Sequence, residues 1–162
     1  KGAIASFASS GKKTAKKDLA RIALSYPNAY VAQVSLGANG MQLIKALNEA
    51  VTHDGPSIVI AYTPCISHGI KGGLEHSIEM EKLATISGYY PIFRYNPETN
   101  IFVLDSKNVD FDKYEEFLMN QNRYAMLNAI NKEHAKDLLE KQKEEAMKRY
   151  EYYKELESNS KK

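Results

Sequence analysis

Apolar residues recur with two different periods in this chain, and the change of period divides it. From Thr14 to about Leu104, helix-like and strand-like patterns alternate; from Asp110 onward only helix-like spacing remains. Thr14 is placed to cap a helix running to about Ser25, with Leu19, Ile22 and Ala23 on its apolar side and Pro27 beyond its end. Ala29 to Ser35 reads as a short strand rich in β-formers. After a turn at Gly37 to Gly40, the spacing of Met41, Ile44, Leu47 and Val51 predicts a helix with one buried face, stopped by Asp54-Gly55-Pro56. Ser57 to Tyr62 is a nearly unbroken apolar run, suited to a strand covered by helices on both faces. It leads into the loop Thr63-Pro64-Cys65-Ile66-Ser67-His68-Gly69. A helix follows from about Glu75 to Ser87, with Gly88 as its stop. Pro91 to Tyr95 and Ile101 to Leu104 are two further strands around the turn signal Asn96-Pro97.

The tail reads as two short helices, Asp112 to Asn120 and Arg123 to Asn131, and one long helix from Glu133 to Glu157. Along the long helix, Ala135, Leu139, Ala146, Tyr150 and Tyr153 form a narrow stripe, the pattern of a helix laid across a neighbouring surface. Its other faces mix Lys and Glu at ion-pairing spacings. The polar end, Ser158 to Lys162, is expected to fray. The predicted architecture is α/β. Residues 1–109 form a mainly parallel sheet flanked by helices with right-handed crossovers, and residues 110–162 a helical extension packed on it.

Composition narrows the function classes. The 162 residues are enough for one domain with a useful core. A net charge of +2 gives no general attraction to nucleic acid or membranes, and no apolar run is long enough to span a bilayer. The opening KGAIASFASSGKK is not a signal peptide. It has no initiator methionine and no helix or strand period, as expected of a cut inside a loop of a longer protein. The single cysteine precludes an internal disulfide and suits a reducing compartment, so a cytoplasmic protein is expected.

That cysteine is the most informative residue. Cys65 lies just beyond the carboxyl end of a strand, where open α/β sheets place their ligands. Pro64 stiffens the entry, while Gly69, Gly72 and Gly73 permit close backbone approach. Three readings are open: a small buried hydrophobe, a nucleophile with His68 as base, or a ligand to a soft metal or iron–sulfur cluster. The second suffers because working Cys/His pairs are normally assembled by the fold and not by a short loop. The third requires other ligands from elsewhere, because a cluster takes about four.

The stretches GAIASFASSGKKTAKKDLARIALSYPNAYVAQVSLGANG and GPSIVIAYTPCISHGIKGG, then SGYYPIFRYNP, FLMNQNRY and KRYEYYKEL, resemble the C-terminal part of the thiamine-diphosphate domain of pyruvate:ferredoxin (flavodoxin) oxidoreductase. The resemblance covers nearly the whole chain. It implies oxidative decarboxylation of pyruvate with coenzyme A to acetyl-CoA and carbon dioxide, with electrons passing to ferredoxin or flavodoxin, in a homodimer. It also implies that Cys65 is one ligand of a 4Fe–4S cluster. The other three family cysteines lie upstream and are absent here, as is the GDG-type segment that holds magnesium and the diphosphate. Lys1 stands where the family usually has threonine. The chain by itself is therefore expected to bind none of these cofactors and to be inactive. Two rivals come from other classes, a docking module of a redox complex and a small thiol enzyme using Cys65 and His68.

Weaker signals remain. Lys12, Lys13, Lys16 and Lys17 crowd the start of the first predicted helix, where positive charge opposes the dipole. A solvated basic patch is the plain explanation; a coenzyme A phosphate or an acidic ferredoxin is the alternative. Ser67 and His68 could donate to cluster sulfur or to the loop backbone. His53, His76 and His134 read as surface residues. Tyr150 and Tyr153 belong to the packing stripe, and Tyr152 lies beside them.

Overall fold

The computed structural model describes residues 1–160. Strand β1 (Tyr30–Val34) is its axis, with all five residues buried. Its side chains alternate between two covered faces. Tyr30, Ala32 and Val34 pack with Ala46, while Val31 packs on the other side with Ala20, Ala23, Phe93 and Tyr153. Strand β2 (Ser57–Ala61) pairs with it in parallel, as the crossover through helix α2 (Gly40–Thr52) predicts. Strands β3 (Phe93–Asn96) and β4 (Ile101–Leu104) form a hairpin whose turn holds Asn100 at φ 53°, and β3 joins β1 antiparallel. The sheet order is β2-β1-β3-β4. The α/β architecture is as predicted, but the sheet is mixed.

Three expectations about burial are corrected. The strand covered on both faces is β1, not β2. One flank of β2 is unpaired, so Ser57 and Ile58 are exposed and Val59 and Ile60 only half-buried. Helix α2 turns the opposite way from its apolar period. Met41, Ile44, Leu47 and Val51 are exposed, and it is Gln42 and Ala46 that meet the sheet. The Gln42 amide donates to the Gln33 carbonyl at 3.2 Å and to Asp105 at 3.1 Å, which makes a polar residue at home on the buried face. The first helix, α1, spans only Leu19–Ala23. Its cap is Asp18, whose carboxylate accepts from the Arg21 amide at 3.0 Å, and not Thr14. Ala20 and Ala23 are buried there, while Leu19 and Ile22 face out.

Helix α3 (Ser77–Ile86), preceded by one 3-10 turn, ends where Gly88 takes φ 75°, the left-handed conformation its position requires. The tail follows its predicted pattern closely: α4 (Tyr114–Met119), α5 (Asn122–Ile130) and α6 (Lys132–Ser160). Ala135, Ala146, Tyr150 and Tyr153 of the stripe are buried, and so are Leu138 and Gln142 between them. Tyr153 packs at 4.7 Å between ring centroids with Phe93, and Phe93 stacks at 4.7 Å on Phe102. The Tyr153 hydroxyl donates to both oxygens of Asp18, at 2.9 and 2.8 Å, so the cap of α1 is held by α6. Ser158 to Ser160 continue α6 and do not fray: the Ser160 hydroxyl donates to the Phe102 carbonyl at 3.2 Å. Lys161 and Lys162 lie outside the described residues.

A partly buried ion network ties α2 to the sheet. Arg94 of β3 bonds Glu49 of α2 at 2.6 Å and both oxygens of Asp105 at 3.1 Å. Among the described residues no helix is long and apolar enough to cross a membrane.

Candidate functional site: the cysteine loop at the end of β2

The Tyr62 amide donates to the Val34 carbonyl at 3.0 Å, so the chain leaves the sheet only after β2 has run its full pairing. Pro64 is buried and Cys65 half-exposed just beyond it, where the sequence predicts. The Gly69 amide then donates to the Cys65 carbonyl at 2.8 Å and closes the loop on itself, with Gly69 at φ 71°. Gly72 and Gly73 also take positive φ.

This turn wraps hydrogen-bond donors around the sulfur. The His68 ring nitrogen Nδ1 lies 3.2 Å from Sγ, and the backbone amides of His68 and Ser67 face the same atom. These contacts, the His68 ring foremost, lower the thiol pKa to about 7; slight burial opposes them. The geometric objection to a Cys/His pair in a short loop is thereby corrected, since the turn does bring the two together. Ser67 contributes its backbone.

The loop is clamped from the tail. The Lys71 amide donates to the Asn120 carbonyl at 2.9 Å, and Ile70 bridges Gln121. The Asn122 side chain donates to the His68 carbonyl at 2.9 Å, and its amide to the Gly69 carbonyl. Asn120-Gln121-Asn122, the junction of α4 and α5, was read only as part of a resemblance. Three amide-bearing residues at the break between two helices are its only local signal. Beneath the loop, Arg123 lies over the Tyr124 ring, and its Nη2 donates to the Tyr89 hydroxyl at 3.4 Å. Nearby tyrosines and Cys65 help raise its pKa, although burial, its largest influence, acts the other way.

The other sequence candidates are not gathered here. The side chain of His53 is only 3% exposed, bonded to Glu98 at 2.8 Å and to the Asn28 carbonyl at 3.0 Å. It ties the end of α2 to two loops and is no plain surface residue. His76 pairs with Glu79 at 2.7 Å, and His134 sits on α6. Among the described residues, no group of three or more His, Cys, Asp or Glu could hold a metal ion. One thiolate in a donor-lined loop fits a single corner of an iron–sulfur cluster; the remaining corners need residues this chain lacks. The Lys12 to Lys17 run precedes α1, which begins at Leu19, so none of these lysines lies within the helix. Tyr150 and Tyr153 are packed; Tyr152 carries the Arg21 guanidinium 4.4 Å from its ring centroid.

Comparison with known proteins resolves the affiliation. The chain is 45% identical over 160 residues to a pyruvate:ferredoxin oxidoreductase of Moorella thermoacetica, covering 96% of this chain and 13% of that protein. It is 41% identical over 159 residues to a pyruvate-flavodoxin oxidoreductase of Klebsiella pneumoniae, covering 95% of this chain and 14% of the relative. The chain belongs to the pyruvate:ferredoxin (flavodoxin) oxidoreductase family, as one segment of it. A pyruvate dehydrogenase [NADP(+)] of Cryptosporidium parvum is also 42% identical over 174 residues, covering 98% of this chain and 9% of that protein. No family model matches the chain. It spans about an eighth of the length of the oxidoreductases it matches, so in this family the cysteine loop is one part of a much larger polypeptide.

Proposed function

We infer that this chain is the C-terminal half of a thiamine-diphosphate-binding domain, residues 1–109, carrying a helical extension, residues 110–162. The parent enzyme oxidatively decarboxylates pyruvate with coenzyme A, giving acetyl-CoA and carbon dioxide and passing electrons to ferredoxin or flavodoxin. It is homodimeric and cytoplasmic. Cys65 supplies one thiolate to a 4Fe–4S cluster, whose remaining ligands come from other parts of the same polypeptide, as do the groups holding thiamine diphosphate and magnesium. This chain alone is inactive.

The observation that carries the reading is the donor-lined turn around Sγ. A metal-bound thiolate must be deprotonated and is steadied by N–H donors; such groups surround Cys65, with His68 at 3.2 Å, and they lower its pKa to about 7. The clamp from Asn120, Gln121 and Asn122 holds the sulfur at one place on the sheet rim. When bound, the cluster would accept and release electrons singly. The protein's part is to fix the ligand and shape the field around it.

The test is Cys65→Ala in the full-length enzyme, read by iron content, by the low-temperature electron paramagnetic resonance of the reduced protein, and by ferredoxin reduction. Loss of one cluster signal is expected. Retention of every cluster with normal ferredoxin reduction overturns the assignment.

The Cys65–His68 contact also supports a second reading, a thiol nucleophile with its base. Turnover of activated thioesters by this chain alone, abolished in both Cys65→Ser and His68→Ala, is what that reading requires.

A further inference from the structure

On the face of the molecule where α6 passes α1, a cavity of about 270 Å³ is lined by Lys16, Arg21, Lys148 and Arg149, with Tyr89 and Tyr114 among its walls. Two carboxylates also line it, and both are committed. Asp18 accepts from the Tyr153 hydroxyl and from the Arg21 amide, and Glu145 is paired with Lys1. Among the described residues, none of the four cations has a carboxylate within salt-bridge distance. Lys16 instead stands 4.2 Å from the centroid of the Tyr89 ring, and Arg149 spends one N–H on the Tyr89 carbonyl at 2.7 Å.

We propose that this cavity is a binding site for a phosphate-type anion, held by Lys16, Arg149, Lys148 and Arg21 of its lining. Four cations outnumber the one lining carboxylate, Asp18, that has no cation paired with it among the described residues, and a doubly charged oxyanion offsets the excess while accepting several charge-assisted hydrogen bonds. Lys16 is exposed as a residue, but with its ammonium against the Tyr89 ring, desolvation and then Arg149 lower its pKa to about 8. A cation held down in this way gains most from an incoming anion. The remaining volume exceeds what a single phosphate fills, so the anion can be carried on an organic group lying against the tyrosines. Of the lysine run seen in the sequence, Lys16 and Lys17 reach cavities while Lys12 and Lys13 do not. The site is independent of Cys65, and its failure would leave the cluster reading untouched.

Titration calorimetry of the full 162-residue chain with inorganic pyrophosphate and with adenosine 5′-diphosphate tests the proposal. One-to-one saturable binding is expected, weakened about tenfold or more in Lys16→Gln and in Arg149→Gln. Equal affinity for the two probes assigns the site to the bare phosphate, and tighter adenosine diphosphate to an organic phosphate. Lys148→Gln changes an exposed residue at little expected cost to stability, so its severalfold loss of binding keeps the test sound if Lys16→Gln or Arg149→Gln misfolds. Lys13→Gln, outside the cavity, should bind as the parent does. No saturable binding, or equal loss in Lys13→Gln and Lys16→Gln, overturns the proposal. So does loss of pyrophosphate binding in the full-length enzyme, which would mean that a neighbouring carboxylate already fills the cavity.

Discussion

The Nδ1 nitrogen of His68 lies 3.2 Å from the sulfur of Cys65, three positions earlier in the same loop. An extended chain would hold such residues about 10 Å apart. The turn closed from Gly69 onto the Cys65 carbonyl removes that distance, and it is the step that converts a lone cysteine into a prepared thiolate.

Alkylation of Cys65 by iodoacetamide should therefore follow a pKa of about 7. Because the pKa is lowered, thiolate predominates above pH 7 and disappears below it. His68→Ala removes the largest cause, so its profile should move toward the ordinary thiol range and its rate at pH 7 should fall. Identical profiles for parent and variant would show that the ring does not act on the sulfur.

Asn122→Ala takes away the donor that holds the His68 carbonyl. A cost of about 1 kcal/mol in urea unfolding is expected. Faster hydrogen exchange at the Gly69 and Lys71 amides should accompany it, because the clamp and the turn share this strip of backbone. Unaltered exchange there would mean that the loop keeps its shape without the tail.

Arg94→Met should be the most damaging single change outside the aromatic core. It leaves Glu49 and Asp105 without their shared cation, and since breaking a fully buried pair costs about 3–5 kcal/mol, about 2–3 kcal/mol is expected for this partly buried one. Thermal unfolding followed by circular dichroism measures it. A loss below about 1 kcal/mol would mean that the two carboxylates find water or other partners.

Met41→Lys and Val51→Lys lie on the outer face of α2, where both residues are exposed. Each should alter stability by no more than about 0.5 kcal/mol. Sedimentation velocity should show the double variant self-associating less than the parent, since a contiguous apolar face beside the open edge of β2 is removed. Equal association in both would place the sticky surface elsewhere.

Local patterns read well where they act locally. The tail helices, the stop at Gly88, the β3–β4 hairpin and the strand that delivers Cys65 all sit within three residues of their expected places. Caps, turn residues and periodic apolar spacing are short-range signals. The failures share one cause. Met41, Ile44, Leu47 and Val51 have a clean helical period, yet they face away from the core of this chain, and in the apolar run Ser57 to Tyr62 only Tyr62 is fully buried. Periodicity says which residues form a face; it does not say which side of the sheet that face meets. The role of Arg94 is hidden in the sequence for the same reason, its two partners being 45 residues before it and 11 after it in the chain.

The order of residues was enough to establish the α/β class, the helical tail, the family and the single thiol at the rim of the sheet, because each rests on neighbours in the chain or on long stretches of identity. Folding alone decided that β1 and not β2 is the covered strand, that His68 meets Cys65, and that Lys16 and Arg149 share a cavity in which neither is ion-paired among the described residues. Those are contacts between segments far apart or bent back on themselves. Their energies depend on distance and burial, quantities that a linear string of side chains does not contain.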